Sequence, residues 1–229
     1  MKALIYFLRV SYIERIAELH SSVTFGQAEL AYYSRHLLLP GVGLIGQQKL
    51  RSARVLVVGA GGLGCPALQA LVGAGVGSIC VADGDAVGHS NLSRQWLHSV
   101  QSIGENKALS AQAALAALNP YIDIKAVPEM LDSSNAADLI ANCDLVIDAT
   151  DMLDIRYLID DVCAQLDRPW VHAALYRESA QMTGFWSRYG ARFRRLFPEP
   201  SDAPSCSGAG MLGASASLVG NLQALEAIK

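Results

Sequence analysis

The chain has 229 residues, of which 52% are hydrophobic and 17% charged, and 18 basic against 21 acidic side chains give a net charge of -3. That is enough apolar material to bury one core in a single large domain. No run of Lys or Arg builds the positive groove that DNA or RNA requires, so a nucleic-acid partner is excluded.

Residues 1–30 read as an N-terminal helical extension, with Ile13, Ile16, Ala17 and Leu19 at helical spacing and Thr24 with Gln27 as a cap for a second helix near Phe25. Residues 31–229 read as one α/β unit. Arg54-Val-Leu-Val-Val-Gly59 is a short apolar run, as a buried parallel strand requires. It enters Gly59-Ala-Gly-Gly-Leu-Gly64, and a helix follows from about Cys65 to Ala74 with Pro66 in its first turn. Ser78–Ala82 is the next strand, and Asn106–Leu118 is an alanine-rich helix stopped by Asn119-Pro120. Ile122–Val127 alternates like a half-covered strand, Asp138–Ala141 is a short helix and Leu145–Asp148 is a buried strand. A helix over Asp154–Leu166 leads to strands at Trp170–Ala174 and Met182–Ser187. Residues 188–210, with four arginines and three prolines, break the rhythm and read as an irregular surface excursion. A small-residue helix over Gly213–Ile228 closes the chain. The alternation predicts a Rossmann-like nucleotide-binding fold: a mostly parallel central sheet, helices on both faces, and additional C-terminal strands and a helix.

The five cysteines, Cys65, Cys80, Cys143, Cys163 and Cys206, are odd in number and not closely spaced. They predict neither a disulfide framework nor a thiolate zinc clamp, and the cytoplasm is the expected compartment. Met1–Val10 is apolar but too short to cross a bilayer, and Glu14 and Arg15 follow closely, so no membrane association is expected.

Gly59-x-Gly61-x-x-Gly64 directly after a strand, with Gly62 between, is the dinucleotide-binding spacing. One glycine permits the tight turn, one lets backbone approach phosphate, and one brings helix against sheet. Asp83 ends the following strand, where a carboxylate can accept from a ribose hydroxyl. This spacing does not choose between NAD and ATP. The residues beyond it do: Asp85, Asn91, Arg94 and Lys107 place a carboxylate, an amide and two cations near the phosphates, and Asp151 can hold a magnesium ion. Two cations and a metal-binding carboxylate suit nucleotidyl transfer better than hydride transfer. Asp148, inside an apolar strand, reads alternatively as a partner for buried backbone donors, and His172 as a satisfied structural histidine.

The whole set resembles the bacterial E1-like adenylyltransferases of molybdopterin and thiamin biosynthesis, relatives of the ubiquitin-activating enzymes. The motifs are Tyr33-Ser-Arg-His-Leu-Leu-Leu39, Gly46-Gln-Gln-Lys-Leu50, the glycine loop, Ser90-Asn-Leu-Ser-Arg-Gln95, Ala149-Thr-Asp151 and Gly220-Asn-Leu-Gln-Ala-Leu-Glu-Ala-Ile-Lys229. The resemblance implies ATP on the glycine loop, its ribose on Asp83, phosphate contacts from Asn91, Arg94 and Lys107, and magnesium at Asp151. It implies a homodimer in which Arg35 reaches the partner subunit's site. It also implies a protein substrate, a small β-grasp ubiquitin-like sulfur carrier ending in Gly-Gly, whose carboxylate attacks the α-phosphate. Cys206 lies where thiamin-type members place a cysteine that joins covalently to the carrier protein; a thiolate there can attack the acyl-adenylate or carry sulfur to it, and a sulfur donor protein is a further expected partner.

Three departures from the family pattern stand out. Arg192 and Arg195 occupy the first Cys-x-x-Cys pair and the second pair would fall beyond residue 229, so no structural zinc site and a domain without the usual C-terminal tail are expected. Met152 stands where an asparagine follows the Thr-Asp pair, and residues 1–25 precede the first matched segment. The competing expectations are a catalytically impaired relative that docks a small protein, and an NAD-dependent oxidoreductase.

Overall fold

Seven strands make one sheet in the computed structural model, which describes residues 3–5, 23–198 and 210–229. They are β1 (Ala3–Ile5), β2 (Arg54–Val58), β3 (Ser78–Ala82), β4 (Asp123–Val127), β5 (Leu145–Asp148), β6 (Trp170–Tyr176) and β7 (Ser179–Phe185). Their spatial order is β1-β7-β6-β5-β2-β3-β4. Every pairing is parallel except β6 with β7, an antiparallel hairpin from Trp170↔Phe185 to Tyr176↔Ser179. The helices are α1 (Gln27–Tyr32), α2 (Ser34–Leu37), α3 (Gly43–Ser52), α4 (Gly64–Ala74), α5 (Lys107–Leu118), α6 (Ala136–Ala141), α7 (Leu153–Gln165), α8 (Phe193–Leu196) and α9 (Gly213–Ile228). The Rossmann-like α/β expectation is met. No helix among the described residues is long and apolar enough to cross a membrane.

The central strand shows why an unbroken apolar run was needed. On β2, Val55 and Val57 join the core under α4, α5 and α9, while Leu56 and Val58 join the core under α6, α7 and α8. A strand covered on both faces has no solvent side on which to place polar residues. By contrast β4, at the edge, alternates exposed and half-buried positions.

Local signals set most boundaries. Gly75 ends α4 in the left-handed region (φ 84°), and its N–H and that of Val76 return to Leu71. Asn106 caps α5, its side chain accepting from Ala108 and Leu109 N–H. Asn119 is buried after that helix and donates to Tyr33 Oη (2.9 Å) and the Val72 carbonyl (2.8 Å), which fastens the α1–α2 segment to the domain.

Some boundaries fall elsewhere than the sequence indicates. The cap expected from Thr24 and Gln27 is not made, because α1 starts after Gly26 with no side-chain cap. The last strand is Ser179–Phe185, starting three residues before Met182, since Arg177 takes a positive φ (54°) and turns the chain straight back along β6. The expected helix at Ile13–Leu19 lies outside the described residues. The sequence reading did not include β1, which pairs with β7 at the sheet edge.

Glycines in α4 give a paired test. A Cβ at Gly64 would sit 1.9 Å from the Gly59 carbonyl oxygen, whereas one at Gly73 would meet nothing within 4 Å. Gly64→Ala should lose about 3 kcal/mol or more, and Gly73→Ala should gain about 0.5–1 kcal/mol by restricting the unfolded chain. Thermal and denaturant unfolding of the two variants beside the parent checks both signs.

Candidate functional site

From β2 the chain builds outward to β3 and β4 on one side, then returns to add β5 and β6 on the other. An open parallel sheet leaves a crevice at the carboxyl ends where the order reverses. Here it is a cleft of about 600 Å³ over the ends of β2, β3, β5 and β6.

The glycine loop forms its floor. Gly59 has φ 98°, and a Cβ there would stand 2.8 Å from the Ala149 carbonyl oxygen, so backbone passes against backbone. Ala60 N–H donates to Asp83 Oδ2 at 2.7 Å, and Asp83 Oδ1 accepts from Asp85 N–H at 2.9 Å. The Ala60 carbonyl faces His98 Nε2 at 2.9 Å, and His98 Nδ1 faces Ser110 Oγ at 2.9 Å. Because the carbonyl can only accept, the proton is assigned to Nε2. Burial pushes the His98 imidazole below its usual pKa, against the opposing pull of that carbonyl. The N–H groups of Gly61, Gly62 and Leu63, just before α4, donate to no acceptor among the described residues and line the cleft. Unpaired donors at a helix N-terminus are an anion site.

Cations and amides gather along the same wall. Lys107, nearly buried, holds Asp85 Oδ2 at 2.7 Å. Arg94 lies across Gly62 with Nη1 on the Ser90 carbonyl at 3.0 Å. Asn91 Oδ1 accepts from Gly88 N–H at 2.9 Å, and its amide nitrogen has no partner among the described residues. Asp151 is exposed at the end of β5, lines the cleft, and has no hydrogen bond or ion pair among the described residues.

Beneath Asp151 lies a charge network. Asp148 is fully buried and accepts from His172 Nδ1 (2.8 Å), Thr150 Oγ1 (2.6 Å) and Thr150 N–H (3.0 Å), with Arg156 Nε at 3.5 Å. Burial alone would raise this carboxyl. The His172 hydrogen bond and charge, Arg156 and Thr150 outweigh it and hold the pKa below the usual carboxylate range. Both sequence readings of this pair hold: His172 is a satisfied structural histidine, and Asp148 takes a backbone donor.

The structure thus brings together Gly59, Gly61, Gly62, Asp83, Asp85, Asn91, Arg94, Lys107 and Asp151 in one cleft. Gly64 sits beneath, in the first turn of α4. Arg35 is exposed on α2 and lies outside the cleft of its own chain. Cys206 falls outside the described residues, and the other four cysteines are free thiols. Arg192 engages Asp160 and Asp161 at 2.9–3.0 Å, and Arg195 Nη1 donates to the Gly190 carbonyl. Sequence reasoning passed over His98, Gln95 and Arg156. Gln95 follows Arg94 in a motif already singled out, which is the one signal that could have found it; its amide lies against Gly61 and its buried Oε1 has no partner among the described residues.

A doubly wound nucleotide-type cleft with a glycine turn and converging cations defines a class. The chain belongs to the ThiF family, whose model matches residues 33–229. It is 44% identical over 209 residues to the sulfur carrier protein adenylyltransferase of Thermus thermophilus, covering 88% of this chain and 77% of that one. It is 42% identical over 211 residues to the SAMP-activating enzyme E1 of Haloferax volcanii, covering 91% and 78%. It is 43% identical over 208 residues to a probable adenylyltransferase/sulfurtransferase, MoeZ, of Mycobacterium tuberculosis, covering 88% of this chain but spanning only about half (53%) of that protein. In fold it is similar to the microcin C7 biosynthetic enzyme MccB solved with N-formylated MccA (TM-score 0.76, 21% identity, 86% of this chain and 63% of that one). The E. coli tRNA N6-threonylcarbamoyladenosine dehydratase TcdA, solved with AMP, gives a TM-score of 0.71 at 18% identity, covering 90% and 96%.

His98 gives the loop a pH dependence of known sign. A histidine whose folded pKa is lowered contributes fully above its unfolded value, about 6.5, and loses that contribution as pH falls through it. Asp148, lowered from a carboxylate value, loses its contribution only below about pH 4. His98→Gln should cost about 1–3 kcal/mol at pH 7.5 and flatten the loss seen between pH 7.5 and 5. Urea unfolding of parent and variant across that range measures both.

Proposed function

We propose that the chain adenylates the C-terminal glycine carboxylate of a small β-grasp, ubiquitin-like sulfur-carrier protein, using ATP and releasing pyrophosphate. The observation that carries this reading is the meeting, in one cleft, of three unpaired loop N–H groups, Asp83, two cations and Asp151. The relatives' names point the same way: two are called adenylyltransferases and one an activating enzyme. MccB has also been solved with AMPCPP, and TcdA with AMP.

In this reading the adenosine lies toward β3 and β4, its ribose on Asp83 beside Leu131. The phosphates lie over the glycine loop, with Asn91, Arg94 and Lys107 meeting the charge that spreads during transfer. Lys107 is presented by Asp85, which holds the ammonium at the cleft wall instead of leaving it to solvent. Asp151 suits magnesium because it is an exposed carboxylate not otherwise engaged, and this ion is usually held by one or two carboxylates plus substrate phosphates. When bound, the ion supplies charge neutralisation at the β- and γ-phosphates. No general base is required, since a terminal carboxylate is already ionised at neutral pH. Holding it in line with the α-phosphorus is the enzyme's main task.

We also infer a homodimer, with Arg35 serving the partner subunit's cleft. The support is its exposure outside its own cleft, among the exposed apolar side chains Leu38, Leu39, Leu44 and Ile45. The free thiols are in keeping with a cytoplasmic setting, where a sulfur donor protein can meet the acyl-adenylate. The competing reading, an impaired relative that only docks a small protein, is favoured by Met152, 44% exposed on the cleft wall where the family resemblance expects an amide.

ATP–pyrophosphate exchange decides between them. With a panel of small β-grasp proteins ending in Gly-Gly, the parent should exchange only in the presence of a matching carrier with a free carboxylate. Asp151→Ala should lower that rate by about 10²-fold or more. A folded parent that exchanges with none of the panel, while still binding one of them, supports the docking relative instead.

A further inference from the structure

One cation in the cleft has no duty in the phosphate set. Arg156 projects from α7, is 9% exposed, and lines the cleft beside Thr150, Asp151 and Met152. Two of its three nitrogens face inward. Nη2 donates to the Thr150 carbonyl at 2.8 Å, and Nε lies 3.5 Å from Asp148 Oδ2 without making a hydrogen bond. Nη1 has no hydrogen-bond partner among the described residues. Asp148 does not meet Nη1: its approach to the guanidinium is the 3.5 Å from Oδ2 to Nε, and His172 and the two Thr150 donors take three of its acceptor sites. A guanidinium carries five N–H donors in a fixed fork, and nearly buried ones are seldom left unpaired.

Where this group sits decides what it can meet. The sheet order lays the cleft out in sequence: Asp83 and Leu131 at the β3–β4 end, the glycine loop over β2, then Thr150–Asp151 at β5 and Ala174–Leu175 at β6. Arg94 and Lys107 belong to the β3 side, and Arg156 lies across from them on the β5–β6 side. The other walls there are Met152, Ile155, Leu175 and Met211. Apolar walls with one nearly buried cation among them fit an extended tail of small residues that ends in a carboxylate.

We propose that Arg156 receives the acceptor's terminal carboxylate, its Nη1 holding one oxygen while the other attacks; this rests on the adenylation reading above. The attacking oxygen forms the bond to the α-phosphorus, the bond from that phosphorus to the bridging oxygen breaks, and pyrophosphate leaves with the electron pair. No proton moves. The oxygen held by Arg156 becomes the carbonyl of the acyl-adenylate, so the contact persists in the product. Asp148, His172 and Thr150 act one step back, as positioning residues that lock the guanidinium plane.

The test separates this role from a merely structural one and needs no identified carrier. AMP and 5′-O-(N-glycylglycylsulfamoyl)adenosine, a stable acyl-adenylate mimic, are titrated calorimetrically into the parent, Arg156→Gln and Arg156→Lys. Arg156→Gln should weaken the acyl mimic by about 10–100-fold and AMP by less than about twofold, with Arg156→Lys between parent and Gln. Equal weakening of both ligands, or of neither, overturns the proposal and leaves Arg156 as a counter-ion for Asp148. So does a parent that fails to bind the mimic more tightly than AMP. If Arg156→Gln does not fold by circular dichroism, the same ratio in Arg156→Lys decides. Selective loss of the mimic together with absent carrier-dependent exchange would retain the Arg156 site and reject carrier adenylation, so the two readings fail separately.

Discussion

Backbone has to pass unusually close to backbone at the mouth of this sheet, and most of the molecule is arranged around that constraint. A side chain at Gly59 would meet the Ala149 carbonyl oxygen at 2.8 Å, one at Gly64 the Gly59 carbonyl at 1.9 Å, and one at Gly220 the Leu63 carbonyl at 2.2 Å. Three elements therefore converge on the loop: β5 on one side, α4 from within and α9 from above. A loop so placed would be expected to lose its shape easily, since glycine carries the largest entropy cost on ordering. It is held instead by its single non-glycine residue before Leu63. The Ala60 N–H is fixed by Asp83 and the Ala60 carbonyl by His98, so the peptides on either side of one residue are both gripped. The N–H groups of the lining residues that follow have no acceptor among the described residues.

Beside this grip stands a second one, built on a buried charge. Asp148 has no exposure at all, and such a carboxylate is tolerated only when its lone pairs are met and its charge is balanced. Removing one partner from a buried pair costs about 3–5 kcal/mol, set against a total stability of about 5–15 kcal/mol for a domain. The network is therefore held as a unit. Through Thr150 it fixes the turn that carries Asp151 into the cleft, and through Arg156 it extends to the acceptor side. Gln223 of α9 reaches the same place from the opposite face, donating to the Asp148 carbonyl at 2.7 Å. The end of β5 is thus tied to β6, α7 and α9 at once.

What could be read from the sequence is what depends on neighbours in the chain. The buried strands, the glycine spacing, the alanine-rich helix near Asn106 and the Asp83 position each follow from residues within a few places of one another. Groups whose meaning depends on distant partners were not legible. His98 is 38 residues from the carbonyl it holds, and Gln223 is 75 from its own. Arg156 looks like an ordinary charge on an amphipathic helix until β5 is placed beneath it. Asp148 is an intermediate case: its apolar context showed that it had to be satisfied, but not by which groups. The Thr24 cap failed for a related reason, because packing of Tyr33 against Asn119 and Gly75 sets where the first helices lie.

The corner occupied by Arg192 and Arg195 shows how a chain can anchor a segment with charges and rings. Asp160, 1% exposed on α7, accepts from Phe193 N–H at 2.9 Å and from Arg192 Nε at 3.0 Å, while Asp161 takes Arg194 at 2.7–2.8 Å. Phe193 fills the space between, against Trp170, Phe185, Tyr157 and His172. Tyr157 Oη closes the segment by donating to the Phe197 carbonyl at 2.8 Å. One helix thus does two jobs a turn apart. Arg156 faces the cleft from its first turns, and Asp160, four residues on and so on the same side, clasps the segment that leads toward residue 199. His172 belongs to both, bonded to Asp148 and with its ring 5.4 Å from that of Phe193. Any displacement of the 193–198 segment would therefore be felt at the imidazole that orients Asp148. The acceptor side of the cleft is coupled to its surroundings by packing, whereas the phosphate side is held by the Asp83 and His98 side chains bonded to the loop backbone.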